Sequence, residues 1–190
     1  MTFAHKQFEG VTYTFEHLKS RLLKVALSPP SGPVVAQVDV QFGSHCFTEG
    51  FDATIHGDHH RYTHAGELRA FDKARHDCSL YLPGIVDAMG NGKIYRSADS
   101  YTYVAQIPVP PVTGFGNYSV FFSLEAEKAS TPEHPRAKMF VKSAYPRDLA
   151  APANAQNWRF SALVGFNTGV YQPVQKPRPT KVAKASRFPA

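Results

Sequence analysis

The sequence predicts an α+β domain, an antiparallel sheet of about five strands with two helices packed on one face and a basic disordered tail behind it. Three observations carry this prediction. Apolar residues recur at helical spacing in two segments, "YTFEHLKSRLLKVAL" and the stretch from Phe71 to Met89. Several later segments are rich in aromatic and β-branched residues, as strands are. Clusters of Pro, Gly and Asn punctuate the intervals between them.

In the first segment, residues 13–27, Phe15, Leu18, Leu22 and Val25 fall three and four apart while Lys19, Arg21 and Lys24 lie elsewhere, which predicts a first helix. "SPPSGP" stops it, because proline lacks the donor that a helix interior requires. "VVAQVDVQF", residues 34–42, alternates Val38, Val40 and Phe42 and predicts a half-buried strand. From Phe71 a second helix is expected up to the cap at Gly90, kinked at Pro83 or divided into two pieces meeting at "LPG". Strands are then expected at 101–109, 118–126, 138–145 and 158–167, with successive strands pairing antiparallel and helices on one face of the sheet. No internal repeat is visible.

The 190 residues suit one domain, expected over 1–172, with 173–190 as the tail. That tail contains Lys176, Arg178, Lys181, Lys184 and Arg187 and no acid, so of the formal charge of +6 only +1 remains on the body. Its cations are candidate nonspecific nucleic-acid contacts. No apolar run reaches the roughly 18–20 residues of a membrane-spanning helix, and "MTFAHKQFEG" lacks the form of a secretory leader. The expectation is a cytoplasmic protein without membrane attachment, its two cysteines, Cys46 and Cys78, reduced.

Residues 43–64, "GSHCFTEGFDATIHGDHHRYTH", hold five histidines and a cysteine. A zinc site could draw on His56 and His59, or on His60 and His64, if the backbone were helical, but Gly57 and the lack of an apolar stripe argue against that helix. A thiol nucleophile at Cys46 needs a base other than His45, since neighbours on a strand point to opposite faces, and Cys78 lies on an apolar helix face. Proton transfer without metal or cofactor is the reading we favour. Cleavage of RNA through its 2′-hydroxyl needs a base, a cation over the phosphate and an acid for the leaving oxygen. His45, Arg69, Arg75, Ser143 and Tyr145 offer these groups, with His60 and Arg61 as secondary nucleic-acid contacts. The plain alternative is that Arg69 and Arg75 pair with Glu67, Asp72 or Asp77.

The blocks "SHCFTEGF", "RAFDKARHDCSLYLPGIV", "YSVFF" and "MFVKSAYPRD" resemble a group of uncharacterised bacterial and phage proteins, some labelled stationary-phase growth adaptation or heat-shock proteins. More distantly, a helix feeding an antiparallel sheet and a late strand ending in Ser-Ala-Tyr resemble the metal-independent ribonucleases of the barnase and RelE-type toxin superfamily. That resemblance implies His45 as general acid or base, Arg69 and Arg75 as phosphate clamps, and Ser143 with Tyr145 as positioning or proton-donating hydroxyls. It implies a small ribonuclease, a growth-arresting toxin being one form, which forms a 2′,3′-cyclic phosphate. The competing expectation is a noncatalytic interaction or inhibitor protein of phage or plasmid type. The partners expected are accordingly RNA or a host protein, including an antitoxin or effector complex.

Overall fold

The computed structural model describes residues 2–91, 93–96, 101–105, 118–146 and 157–172. Tail residues Lys176, Arg178, Lys181 and Lys184 lie outside them. The chain opens with a hairpin of β1 (Lys6–Phe8) and β2 (Val11–Tyr13). Glu9 and Gly10 turn it with φ of 50° and 78°, the positive pair that matches the twist of a two-residue hairpin. A single 3-10 turn at Glu16–Leu18 leads to β3 (Arg21–Leu27), β4 (Val34–His45) and β5 (Thr48–Gly50). After a second 3-10 turn at Asp58–His60 come β6 (Arg61–His64), β7 (Glu67–Phe71), α1 (Lys73–Ser79) and α2 (Leu82–Ala88). The remaining elements are a third 3-10 turn at Met89–Asn91, β8 (Lys93–Arg96), β9 (Tyr101–Ala105), β10 (Tyr118–Ala126), β11 (Arg136–Pro146), β12 (Asn157–Arg159) and α3 (Phe160–Asn167).

The mixed α and β class agrees with expectation, while the sheet arrangement corrects it. Seven strands form the main sheet in the order β12-β8-β9-β10-β11-β4-β3, and β5-β7-β6 and β1-β2 form two smaller sheets. The pairs β9/β10 and β10/β11 are antiparallel as predicted, but β11 lies parallel to β4, so the main sheet is mixed. Parallel neighbours need a long crossover, and everything between His45 and Arg136 supplies it. The pairing sets Ser143 opposite His45.

The helix expected over 13–27 is instead a 3-10 turn and strand β3. "RLLKVAL" also has a period of two, with Leu23, Val25 and Leu27 on the packed side, and pairing with β4 from Arg21↔Val40 to Leu27↔Val34 satisfies the backbone there. Leu22, counted on the helical stripe, stands 54% exposed. The strand expected over 158–167 is likewise corrected. Only Asn157–Arg159 is extended, and the rest is α3, which buries Phe160, Leu163 and Val164 at helical spacing. Gly169, at φ 76°, follows its end. The segment from Phe71 is two helices, with Asp72 Oδ1 accepting from the Arg75 amide at the start of α1 and Pro83 in the first turn of α2.

The inner face of the main sheet carries Ala36, Val38, Val40 and Phe42 of β4, Ala137, Met139 and Val141 of β11, and Val120, Phe122 and Leu124 of β10, all buried. α1 packs against β11, and α3 against β3 and β10, where Phe160 meets Phe122 edge-on at 6.1 Å. The same core continues under the smaller sheets. Phe15 stacks on Phe47 at 4.0 Å, with Phe3, Tyr62 and Phe71 at its edges. Phe47 follows the β4 turn immediately, so burying its ring fixes how the chain leaves β4.

Gly165 gives a test of the α3 docking. A Cβ built there would come within 2.2 Å of the Tyr171 ring, whose hydroxyl accepts from the Ser28 amide at 2.9 Å and so ties the segment after α3 to that after β3. Gly165→Ala is expected to lower stability by about 1–3 kcal/mol in urea unfolding. Most of that loss should vanish in a Tyr171→Ala background. An equal loss in both backgrounds would show that the ring is not the obstacle.

Candidate functional site

The site begins where β4 ends. Cys46 N–H donates to Gly43 O (3.2 Å) and Phe47 N–H to Ser44 O (3.1 Å), which turns the chain out of β4 and into β5. Alternation along β4 sets His45 opposite to the buried Ala36, Val38, Val40 and Phe42, and the turn then breaks the alternation at Cys46 and Phe47. Cys46 and Phe47 go into the core, fully buried, while His45 stays on the outer face with its side chain 40% exposed.

A chain of polar contacts runs from this imidazole. His45 Nε2 lies 3.2 Å from Glu67 Oε2, and Arg69 Nη1 donates to the other carboxylate oxygen at 2.8 Å. Arg69 Nε donates to Thr48 Oγ1 at 2.7 Å, and the same hydroxyl donates to Ser44 O at 2.7 Å. Thr48 is wholly buried, so both partners are needed there and both are present. Arg75 Nη1 donates to Thr48 O at 2.9 Å, its Nε lies 3.2 Å from Asp72 Oδ2, its Nη2 lies 3.9 Å from Glu49 Oε2, and its guanidinium sits 4.7 Å over the Tyr145 ring. Phe121 stacks against Tyr145 at 5.5 Å. Arg69 and His45 hold the Glu67 carboxyl below its usual range by hydrogen bonding, so it is a carboxylate at neutral pH.

The five residues singled out in the sequence thus lie along one contact network, with Ser143 paired to His45 in the ladder. They do not all line one hollow. An open cavity of about 440 Å³ is bounded by Gly43, Ser44, His45, His64, Ala65, Glu67, Phe140 and Lys142, and neither arginine is among them. Arg69 is only 12% exposed, and both guanidinium groups bond to protein carboxylates, Arg69 to Glu67 and Arg75 to Asp72 and Glu49, close to the plain alternative weighed for them. Glu67, Thr48, His64 and Lys142 escaped the sequence reading as site residues. Glu67 was visible only as a partner for arginine, and His64 only as one of five loop histidines. The turn that places them, Ala65 and Gly66 at φ 50° and 83° between β6 and β7, has the same double-positive form as the first hairpin.

The secondary candidates stand away from this cavity. Arg61 Nε pairs with Asp58 Oδ1 at 2.7 Å, and its guanidinium covers Phe51 at 4.8 Å. His60 packs against Phe8, His56 and His59, and its Nδ1 is buried without a partner among the described residues. Burial, then the adjacent imidazoles, lower its pKa. His56 bonds Glu49 through Nε2 (3.0 Å) and accepts the Asp52 amide on Nδ1 (2.9 Å), so it is not turned toward His59 as a joint ligand. Among the described residues no group of three or more His, Cys, Asp or Glu side chains is arranged to hold a metal ion.

The thiols are free and buried. Burial pushes Cys46 up to about 12 and Cys78 up to about 11, the wrong direction for nucleophiles. Nearby, the Tyr118 hydroxyl is buried with no partner among the described residues. Iodoacetamide at pH 8 is therefore expected to label neither cysteine in the native protein and both in urea. Rapid native labelling of Cys46 would contradict this.

Outside the cavity, His17 joins the turn before β3 to α1. Ser79 Oγ donates to His76 O at 2.7 Å, so it is left to accept the His17 Nε2 proton at 2.7 Å. The His17 and His76 rings lie 5.5 Å apart. Burial, and then His76, lower the His17 pKa from 6.5 to about 4. The folded protein prefers the neutral ring, so this contribution to stability is complete above 6.5 and is lost as the pH falls from 6.5 toward 4. The unfolding midpoint should drop over that window, and less in His17→Gln. Parallel curves would refute the assignment.

No helix among the described residues is long and apolar enough to cross a membrane. No curated protein matches the chain. No solved structure matches it either. A family model covers residues 5–167 and makes no link to the ribonuclease superfamily or to phage. By that match, which spans both β4 and β11 and every residue bordering the cavity, the chain belongs to the YjaZ family.

Proposed function

We propose that the protein cleaves RNA without metal, by acid and base catalysis at the cavity beside His45, forming a 2′,3′-cyclic phosphate. The observation that carries this reading is the His45–Glu67–Arg69 chain opening onto a cavity that Lys142 and His64 also border. An imidazole backed by a carboxylate accepts a proton well, because the imidazolium formed is stabilised where it stands. Glu67 is held anionic by Arg69 and so acts as the group that orients His45 and balances its charge.

In the step proposed, the 2′-oxygen gives its proton to His45 and attacks phosphorus. A bond from the 2′-oxygen to phosphorus forms, and the bond from phosphorus to the 5′-oxygen breaks. The departing oxygen takes a proton from water admitted by the open cavity, because Nε2 of His64 is buried without a partner among the described residues and that ring is badly placed to carry the charge of a proton donor. Lys142 faces the charge that builds on the phosphoryl oxygens. Arg69 and Arg75 take on a different task from the phosphate clamps of the resemblance: they rigidify the floor under Glu67 and Tyr145.

One observation favours the competing reading of a noncatalytic binding protein for RNA or a host protein. The arginines, which would be the strongest phosphate ligands, already bond to protein carboxylates. Labelled RNA incubated with the protein in chelator separates the two. Cleavage is expected, reduced at least about a hundredfold in His45→Ala and by a smaller factor in Glu67→Gln. Binding without cleavage would favour the competing reading, and cleavage unaffected by His45→Ala would remove His45 from the chemistry.

A further inference from the structure

On β11, Lys138, Phe140 and Lys142 alternate with Met139 and Val141, which are fully packed inward. The outer face of that strand therefore presents a ring flanked along the chain by two lysines, the second of them at a β-bulge where the ladders to β10 and β4 both shift register. Phe140 is 38% exposed, although it is a large apolar side chain in a central strand. Its ring borders the same cavity as His45 and Lys142.

Gly43 explains how the ring is held. A Cβ at position 43 would stand 3.1 Å from Phe140 Cζ and 3.0 Å from Lys142 O. Because glycine has none, the ring edge can rest on the β4 backbone, close to the turn that carries His45. A Cβ at 43 would require the ring or the β11 backbone to give by a few tenths of an ångström. The result is a supported aromatic plane beside an imidazole, with a cation two residues along. Lys138 has Glu125 opposite it in one ladder and Asp39 in the other.

We infer that Phe140 is a stacking platform for an unpaired base, which makes the ligand of this cavity single-stranded nucleic acid rather than duplex. The inference rests on the proposed ribonuclease reading for the chemistry at His45. A planar base meets the exposed ring face, while its neighbouring phosphate meets Lys142, and the charges are complementary. A base inside a duplex has both faces covered by its neighbours and cannot use such a platform. Selection for single strands then follows from shape and stacking without base-edge readout.

The test uses a fluorescent single-stranded 2′-deoxy hexanucleotide, which lacks the 2′-hydroxyl and so binds without being cleaved, and the same sequence as a duplex. Anisotropy is expected to show binding of the single strand, weaker binding of the duplex, and a loss of about tenfold in Phe140→Ala, the scale of one stacked base. Phe140→Tyr should restore binding and Gly43→Ala should weaken it, with far-UV circular dichroism confirming that the variants fold. Equal binding by wild type and Phe140→Ala, equal binding of single strand and duplex, or no binding by wild type would overturn the platform. Phe140-dependent binding alongside absence of RNA cleavage would instead overturn the catalytic reading and leave the platform standing.

Discussion

The arrangement of the outer face depends on one buried hydroxyl. Thr48 Oγ1 donates to the carbonyl of Ser44, in the turn that ends β4, and accepts from Arg69 on β7. It thereby joins the main sheet to the three-stranded sheet at a point closed to water. Because Thr48 is fully buried, losing either partner would leave a polar atom unpaired in a dry place, a cost of roughly 1–3 kcal/mol. Arg69 is in turn the group that holds Glu67 against His45. The imidazole is thus reached by a relay that starts in the core and ends at the exposed carboxylate of Glu67.

The second constraint is the parallel pairing of β4 with β11. It brings Ser143, Phe140 and Lys142 beside His45 and Gly43, although nearly a hundred residues of chain separate the two strands. Neither strand alone makes a cavity. The β6–β7 hairpin, turning at Ala65 and Gly66, supplies the remaining wall with His64 and Glu67. Three elements distant in sequence meet there, and each is fixed by apolar packing on its inner side.

Much of this was legible in the sequence, and what was not has physical causes. The alternation of Val38, Val40 and Phe42 identified β4, and "LPG" pointed to the division of the helical segment, being the first turn of α2 just after the break at Leu80 and Tyr81. Residues 13–27 misled because Phe15, Leu18, Leu22 and Val25 fit a helix while Leu23, Val25 and Leu27 fit a strand, and only the partner strand β4 decides between them. "WRFSALVGFN" misled because its aromatic content outweighed the helical spacing of Phe160, Leu163 and Val164. His45, Arg69, Arg75, Ser143 and Tyr145, singled out by residue type, fall along one contact network, but only His45 borders the cavity. Glu67 and Asp72 were visible as local partners of the arginines, whereas Glu49, on β5, reaches Arg75 only through the way the strands pair, which local sequence does not specify.

The account turns on the cavity beside His45 being where nucleic acid binds. Nuclear magnetic resonance of the isotope-labelled protein titrated with a 2′-deoxy dinucleotide tests that location directly. The largest shifts are predicted at the His45 and His64 rings, Phe140 and Lys142, with the His17 and His60 rings unmoved. Shifts centred elsewhere on the protein, with the His45 ring unchanged at saturation, would contradict it.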